Sequence, residues 1–362
     1  MTGDHPEPED DLTEENLEAA LDDLKRTAAN GGVADEQPQT GPTLVDGELP
    51  FDALDLAPPP AEAEPSGVAF RGSQREDGAT EISMPYTVNS RHEVWSDNAA
   101  ELYERAKRKQ WNATTDIPWE QGRDVDPVVE EALAQVLTWM VQQEYAAWYV
   151  PAKFIPQINP AYSEVSMFLS SQVMDEARHA EVFLKRLQLN GAGLKQVEST
   201  TESSIKGLVS EDNYAQASFL LHILGEGTFK NLFSLLMEIA PDPATERMVE
   251  LAYRDEARHV AYGVNRLNNQ MEQADDPDEL GEEFVEALER RLMMTYEVSG
   301  IPANVQEALA VVAGGGEKDR QIEAGEERVA TFIEELNRDR KERLLQSGFS
   351  EDIAEEISDL HV

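Results

Sequence analysis

The pentapeptide Asp-Glu-Ala-Arg-His occurs twice, at 175–179 and at 255–259. Each copy sets a Glu and a His three residues apart, Glu176 with His179 and Glu256 with His259. On a helix two such side chains project from one face, where a carboxylate and an imidazole on adjacent turns can grip one metal ion. The repeat is wider than the pentapeptide. SQVMDEARHAEVFLKRL at 171–187 aligns with LAYRDEARHVAYGVNRL at 251–267, an offset of 80 (255 − 175). Upstream, Glu144 stands 32 residues before Glu176, and Glu226 stands 30 before Glu256. The chain therefore reads as two helix pairs, each carrying a Glu and then Glu-x-x-His.

Two residues on an antiparallel helix pair lie level when the turn falls midway between them. The midpoint of Glu144 and Glu176 is Pro160, in the proline-broken segment Ile155–Pro160, and the midpoint of Glu226 and Glu256 is Pro241, in Pro241-Asp242-Pro243. Both turns sit where they bring the two Glu side by side. Two such hairpins packed as a four-helix bundle bring four Glu and two His together, the arrangement of a di-iron or di-manganese carboxylate site. Four carboxylates against two divalent ions leave no net charge to bury. Without metal, some of them would have to stay protonated. A lone Glu-x-x-His is usually a solvated helix face. Here Glu176 lies among Phe168, Val173 and Phe183, Glu256 lies near Leu251, Val260 and Val264, and two of only six His fall in the pattern.

The periodicity from Trp95 onward is helical and no useful strand pattern appears, so the fold class is all-α. A first helix follows Ser96 or Asp97 as N-cap. Further helices are expected over about 127–154, opening at Pro127, 161–189, stopping at Asn190-Gly191, 212–240, 244–272, 277–297, 304–312 and 317–346, with 191–211 as a polar connection. Residues 1–85 are rich in Pro, Gly and acid and read as a disordered acidic tail, with one short amphipathic helix conceivable over 12–28. Residues 86–300 make the metal-binding bundle, and 301–362 a C-terminal helical extension.

Composition narrows the function. The chain has 362 residues with 72 acidic and 30 basic side chains, a formal net charge of −42. That opposes a nucleic-acid groove, which needs Lys and Arg, and binding to anionic lipid. The acid is spread along the whole chain and Arg outnumbers Lys, which reads as a halophilic, whole-surface adaptation to high salt. There is no Cys, so disulfides, iron–sulfur clusters and thiolate zinc sites are excluded. Any metal must be held by Glu, Asp and His, which suits iron or manganese. The N-terminus lacks the apolar core of a signal peptide and no stretch is long enough to span a membrane, so a cytoplasmic location is expected.

On these motifs residues 127–270 resemble the ferritin-like superfamily of dinuclear carboxylate proteins. The likeness is strongest to the oxygen-activating branch: monooxygenase hydroxylases, acyl-carrier-protein desaturases, arylamine N-oxygenases and ligand-binding oxidases related to the ribonucleotide reductase small subunit. The resemblance implies a ferritin-like four-helix bundle with added helices. Its metal ligands would be Glu144, Glu176, His179, Glu226, Glu256 and His259. It implies that the Asp before each Glu orients the His of the opposite motif, Asp175 for His259 and Asp255 for His179, with Arg178 and Arg258 holding the Asp residues. His222, one turn before Glu226, could be a seventh ligand, a neighbour of the ligands, or a plain core His. Gly225 and Gly227 flank Glu226 and suggest either a local bulge, often found at functional sites, or close helix packing. Tyr145, Trp148, Phe183, Phe229 and Tyr253 flank the ligands, as core or as walls of a substrate pocket.

The activity implied is that of an oxidoreductase, a di-iron oxidase or monooxygenase. Two iron ions, or one manganese and one iron, would activate O2 to oxidise a small organic substrate. The alternative is a ferroxidase, iron-storage or peroxide-detoxifying protein. With no Cys for its own relay, the chain implies an external electron donor or reductase as partner. A homodimer is compatible with the resemblance.

Overall fold

Proline and acidic caps decide where two of the long helices, over 127–154 and 243–273, begin. The computed structural model describes residues 44–360 apart from 55, 69, 74–77, 79, 81 and 295–299. The conceivable helix over 12–28 lies outside the described residues. The chain divides into Met1–Leu49 and Pro50–Val362. In the first unit the described residues form one tight turn, with Val45 and Glu48 exchanging backbone hydrogen bonds across Asp46 and Gly47. Both turn residues have positive φ, 52° and 83°, a conformation that Asp and Gly tolerate best.

The second unit is helical. Its elements are α1 (Arg91–Val94), α2 (Ala99–Arg108), α3 (Pro127–Phe154), α4 (Ser163–Leu189), α5 (Ser199–Val209), α6 (Tyr214–Ser218), a π-helical turn (Phe219–Gly225), α7 (Glu226–Ile239), α8 (Pro243–Gln273), α9 (Pro277–Met294), α10 (Ala303–Gly314), α11 (Asp319–Gln346) and α12 (Glu351–Leu360). Asp126 accepts from the Val128 N–H and puts Pro127 at the first helical position of α3. Asp242 and Pro243 repeat the device at α8, where Asp242 accepts from Thr245 N–H. Pro is favoured there because its missing N–H has no helical partner anyway. α4 stops at Asn190, followed by Gly191 at φ 82°. α3 packs along α4 and α7 along α8, and α4 meets α8 between the two pairs. Among the described residues there is no strand beyond isolated bridges, and no helix is long and apolar enough to cross a membrane.

The structure differs from the sequence reading at four places. The N-cap of α2, the helix expected after Ser96 or Asp97, is Asn98. Ser96 Oγ and the Asp97 N–H instead both donate to Asn265 Oδ1, at 2.8 Å each. The connection 191–211 contains α5, which packs against α3 and α9 and buries Thr201 and Leu208. Its few apolar residues are too sparse to show a helical period. α12 was not expected either. It is short, but it buries Ile353, Ala354 and Ile357 against α9 and α11. The helix expected over 212–240 is interrupted by the π turn.

Residues from Pro50 onward also touch the bundle. Phe51 N–H donates to Glu104 at 2.6 Å, Asn159 Nδ2 donates to Glu64 O at 2.9 Å, and Arg71 pairs with Glu164. Composition does not register polar contacts of this kind.

Candidate metal centre

The two hairpins bring Glu144 from α3, Glu176 and His179 from α4, Glu226 from α7, and Glu256 and His259 from α8 into one buried cluster, none more than 3% exposed. Glu144, Glu176, His179 and Glu256 each offer a ligand atom, all within 4.8 Å of one another, and Glu176, Glu226, Glu256 and His259 do the same. Glu176 and Glu256 belong to both groups. The cluster could therefore hold two metal ions, with Glu176 and Glu256 within reach of both.

Both imidazoles turn the same atom inward. His179 Nδ1 lies 3.3 Å from Glu176 and 3.6 Å from both Glu144 and Glu256. His259 Nδ1 lies 2.9 Å from Glu176, 3.5 Å from Glu256 and 3.8 Å from Glu226. The outer nitrogens cross over. His179 Nε2 sits 3.2 Å from Asp255, and His259 Nε2 sits 3.4 Å from Asp175. An Nε2–H held by carboxylate leaves Nδ1 as the lone-pair donor, the tautomer a metal needs. Arg178 and Arg258 each hydrogen-bond both aspartates, at 2.5 and 2.8 Å. Two arginines thus neutralise two aspartates beneath the histidines.

A test of whether these residues suit a metal pair is the state of their polar atoms. One oxygen of each Glu (Glu144 Oε1, Glu176 Oε1, Glu226 Oε2, Glu256 Oε2) and His259 Nδ1 are buried without a hydrogen-bond partner. Buried polar atoms are rarely left unpaired, and here every carboxylate of the cluster has one. The residues fit two cations.

The proton affinities agree. Burial pushes Glu144 and Glu226 well above the usual carboxylate range, with the charge of Glu176 adding at Glu144. Burial and Glu176 push Glu256 up to about 7. At Glu176 burial is outweighed by the hydrogen bond from Glu144 and by the two imidazoles, which hold it well below that range. Burial disfavours both imidazolium ions, yet Glu176 beside His179 and Glu226 beside His259 hold them well above the ordinary histidine value. Protons do in this set of side chains what cations would do better.

Glu226 opens α7 directly after the π turn, and its N–H bonds Leu221 O five residues back. The flanking glycines do mark a bulge. His222, in that turn, reaches Glu226 only through Gln172. Gln172 Nε2 donates to Glu226 Oε1 at 2.6 Å, and Gln172 Oε1 lies 3.1 Å from His222 Nε2. Ser218 Oγ lies 2.9 Å from His222 Nδ1. Burial lowers the His222 pKa to about 3, so it is neutral and both its nitrogens are engaged away from the cluster.

Three partners had not been picked out from sequence. Trp111 Nε1 donates to Asp255 at 2.7 Å, and Gln110 bonds both Asp175 and Arg178. Gln172 precedes Glu176 by four residues, a same-face spacing that could have flagged it.

Of the five flanking aromatics, Phe229 lines a cavity with Glu144, Glu226 and Glu256 and stacks on Trp139 at 5.3 Å. Gln143 and Arg291 share that wall. The structure does not bring the other four to it. Tyr145 is 46% exposed and packs on Trp148 and Tyr149. Phe183 is buried against Phe233. Tyr253 is half-buried beneath Lys230. Tyr145, next to Glu144 in sequence, is turned about 100° away from it on the helix.

No family model and no curated protein sequence matches the chain. Solved structures do match its fold. An R2-like ligand-binding oxidase with aerobically reconstituted metal cofactor after photoconversion superposes with TM-score 0.53 and 16% identity, over 69% of this chain and 93% of that one. Two point variants of R2-like ligand-binding oxidase with aerobically reconstituted Mn/Fe cofactor give TM-scores of 0.52 and 0.53 at 15% and 16% identity, over 69% and 68% of this chain and 93% and 92% of theirs. The chain has the ferritin-like, all-α fold of these dimetal oxidases. Their Mn/Fe cofactors are their own property; this chain has a carboxylate–histidine cluster able to take two metals.

Proposed function

We propose that the protein is a dinuclear metal oxidoreductase that uses O2 to oxidise a small organic substrate. Glu144, Glu176, His179, Glu226, Glu256 and His259 are its ligands, and iron, or manganese with iron, is its cofactor. The observation that carries this reading is one buried cluster of four Glu, each with an unpaired carboxylate oxygen, and two inward-facing imidazoles. Two bound ions would supply the electrons that reduce O2. The protein's part is to hold them. Asp175 and Asp255 keep the histidines in their ligating tautomer, and Arg178 and Arg258 balance the aspartates. The apolar packing of Phe168, Phe183 and Phe233 keeps water away. The cavity bounded by Glu144, Glu226, Glu256 and Phe229 is the place for reactants. Electrons come from an external donor. Trp111, bonded to Asp255 and through it to His179, is the hydrogen-bonded line leading out of the cluster.

The test is anaerobic loading with Fe(II) followed by a measured pulse of O2. An oxidase takes up two irons per chain, consumes O2 in fixed proportion, and oxidises a co-purifying or added organic molecule seen by mass spectrometry. Continued iron uptake, with growth of a mineral core beyond two ions per chain, would instead establish iron storage.

A further inference from the structure

The π turn before Glu226 is held from outside its own helix. Arg343, on α11, reaches across and donates from Nε to Ile223 O inside the turn, at 2.8 Å. Its guanidinium fills the space where a side chain at residue 227 would begin. A Cβ built at Gly227 would fall inside 3.0 Å of Arg343 Cζ, Nε and Nη2, a separation that real Cβ atoms do not show. Arg343 is 6% exposed, has no carboxylate within ion-pair distance among the described residues, and leaves Nη2 without a partner. Burying a guanidinium on such terms is costly, and burial lowers its pKa to about 10. A core Leu or Met would fill the space without that cost. What an apolar side chain lacks is the N–H for Ile223 O. Neighbouring contacts fix the approach: Asn231 on α7 donates to Asp339 on α11 at 2.7 Å, and Ser347 Oγ donates to the Arg343 carbonyl at 2.8 Å.

The π turn matters because it amounts to one extra residue in an α-helix. Relaxation to α-helix would rotate everything before it by roughly 100° relative to Glu226. His222 and the Ser218–His222–Gln172–Glu226 line would then lose their alignment with the carboxylate.

We propose that Arg343 is a positioning residue for Glu226: set against Gly227 and bonded to Ile223 O, it holds the π turn that sets where the Glu226 carboxylate sits. This rests on the metal-ligand reading above. The C-terminal helices are on this account part of the metal centre, although none of their side chains enters it.

The experiment uses the full chain and Co(II) alone, whose visible spectrum reports ligand geometry without turnover. Wild type should bind two Co(II). Arg343→Met should bind the ion on the Glu226–His259 side about tenfold or more weakly, with a changed spectrum for that ion, while the ion on the Glu144–His179 side keeps its affinity and spectrum. Arg343→Lys should restore part of the loss. Gly227→Ala, which displaces the guanidinium without removing it, should reproduce Arg343→Met, and the double variant should be no worse than either single one, as for two changes acting through one contact. Should Arg343→Met fail to fold, Gly227→Ala decides alone. Unchanged binding and spectra in the variants, or equal weakening of both ions, would overturn the proposal. Fewer than two Co(II) in wild type would overturn the ligand reading, and this proposal with it.

Discussion

Each histidine of the centre spends one nitrogen on the carboxylates and the other on an aspartate from the opposite helix pair. That division makes the metal-free cluster a store of protons, with a definite consequence for pH. Glu256 has a folded pKa of about 7, above its usual value of 4.5. Between those values the folded state holds a proton that the unfolded state has lost, so stability falls as pH rises through this window. His179 and His259 are also raised. Their contribution is full below 6.5 and is lost as pH climbs through their folded values. Both effects have the same sign; the lowered His222 opposes them, but only up to pH 6.5, and it is one group against several. The Tm of metal-free protein should fall from pH 5 to pH 8, whereas saturating Mn(II) should make Tm rise over that range, because deprotonated ligands bind it better. Thermal melts at four pH values with and without metal would show this; a metal-free Tm that rises with pH would contradict it. At this scale the cluster residues were legible because a doubled motif carries its own spacing, while the crossed Asp–His pairs were expected only from the family resemblance. Gln110 and Trp111 were not. They lie just beyond the end of α2, and nothing in their local sequence says that this loop closes over the two aspartates.

Among the elements, the helix starts are tied together by charge. Arg186 near the end of α4 is fully buried and makes a bidentate pair with Glu130 at the start of α3, at 2.6 and 2.8 Å. A third bond joins it to Asp242, the cap of α8, at 2.9 Å. Removing one member of a buried network strands the others. Arg186→Met should therefore lower unfolding free energy by about 3–5 kcal/mol, read from urea denaturation of the metal-free protein. A change under 1 kcal/mol would mean that water takes over the guanidinium's role. The long helices were legible because Pro127, Pro160, Asn190-Gly191 and Pro243 punctuate them. α5 was not, since it is helical through packing on its neighbours more than through its own pattern; α12, whose Ile353, Ile357 and Leu360 do fall at helical spacing, is only ten residues long. The π turn was half legible: two glycines beside a ligand flagged a bulge, but its support comes from Arg343, 120 residues after Ile223, and no local signal reports that.

Across the whole molecule, the excess of 42 negative charges does not reach the centre. The four glutamates and two aspartates there are matched by two arginines and, on our reading, by two divalent ions. Neutrality at the core of so acidic a chain is what makes a dinuclear site the natural occupant, and the chain shares the fold of the ligand-binding oxidases. The most direct test is anomalous diffraction at the iron and manganese edges, from crystals of the full chain grown with both metals. We expect two peaks about 3.5–4 Å apart, one bonded to Glu144 and His179, the other to Glu226 and His259, with Glu176 and Glu256 between them. A single peak, or none within bonding distance of these six side chains in well-ordered density, would contradict the dinuclear centre.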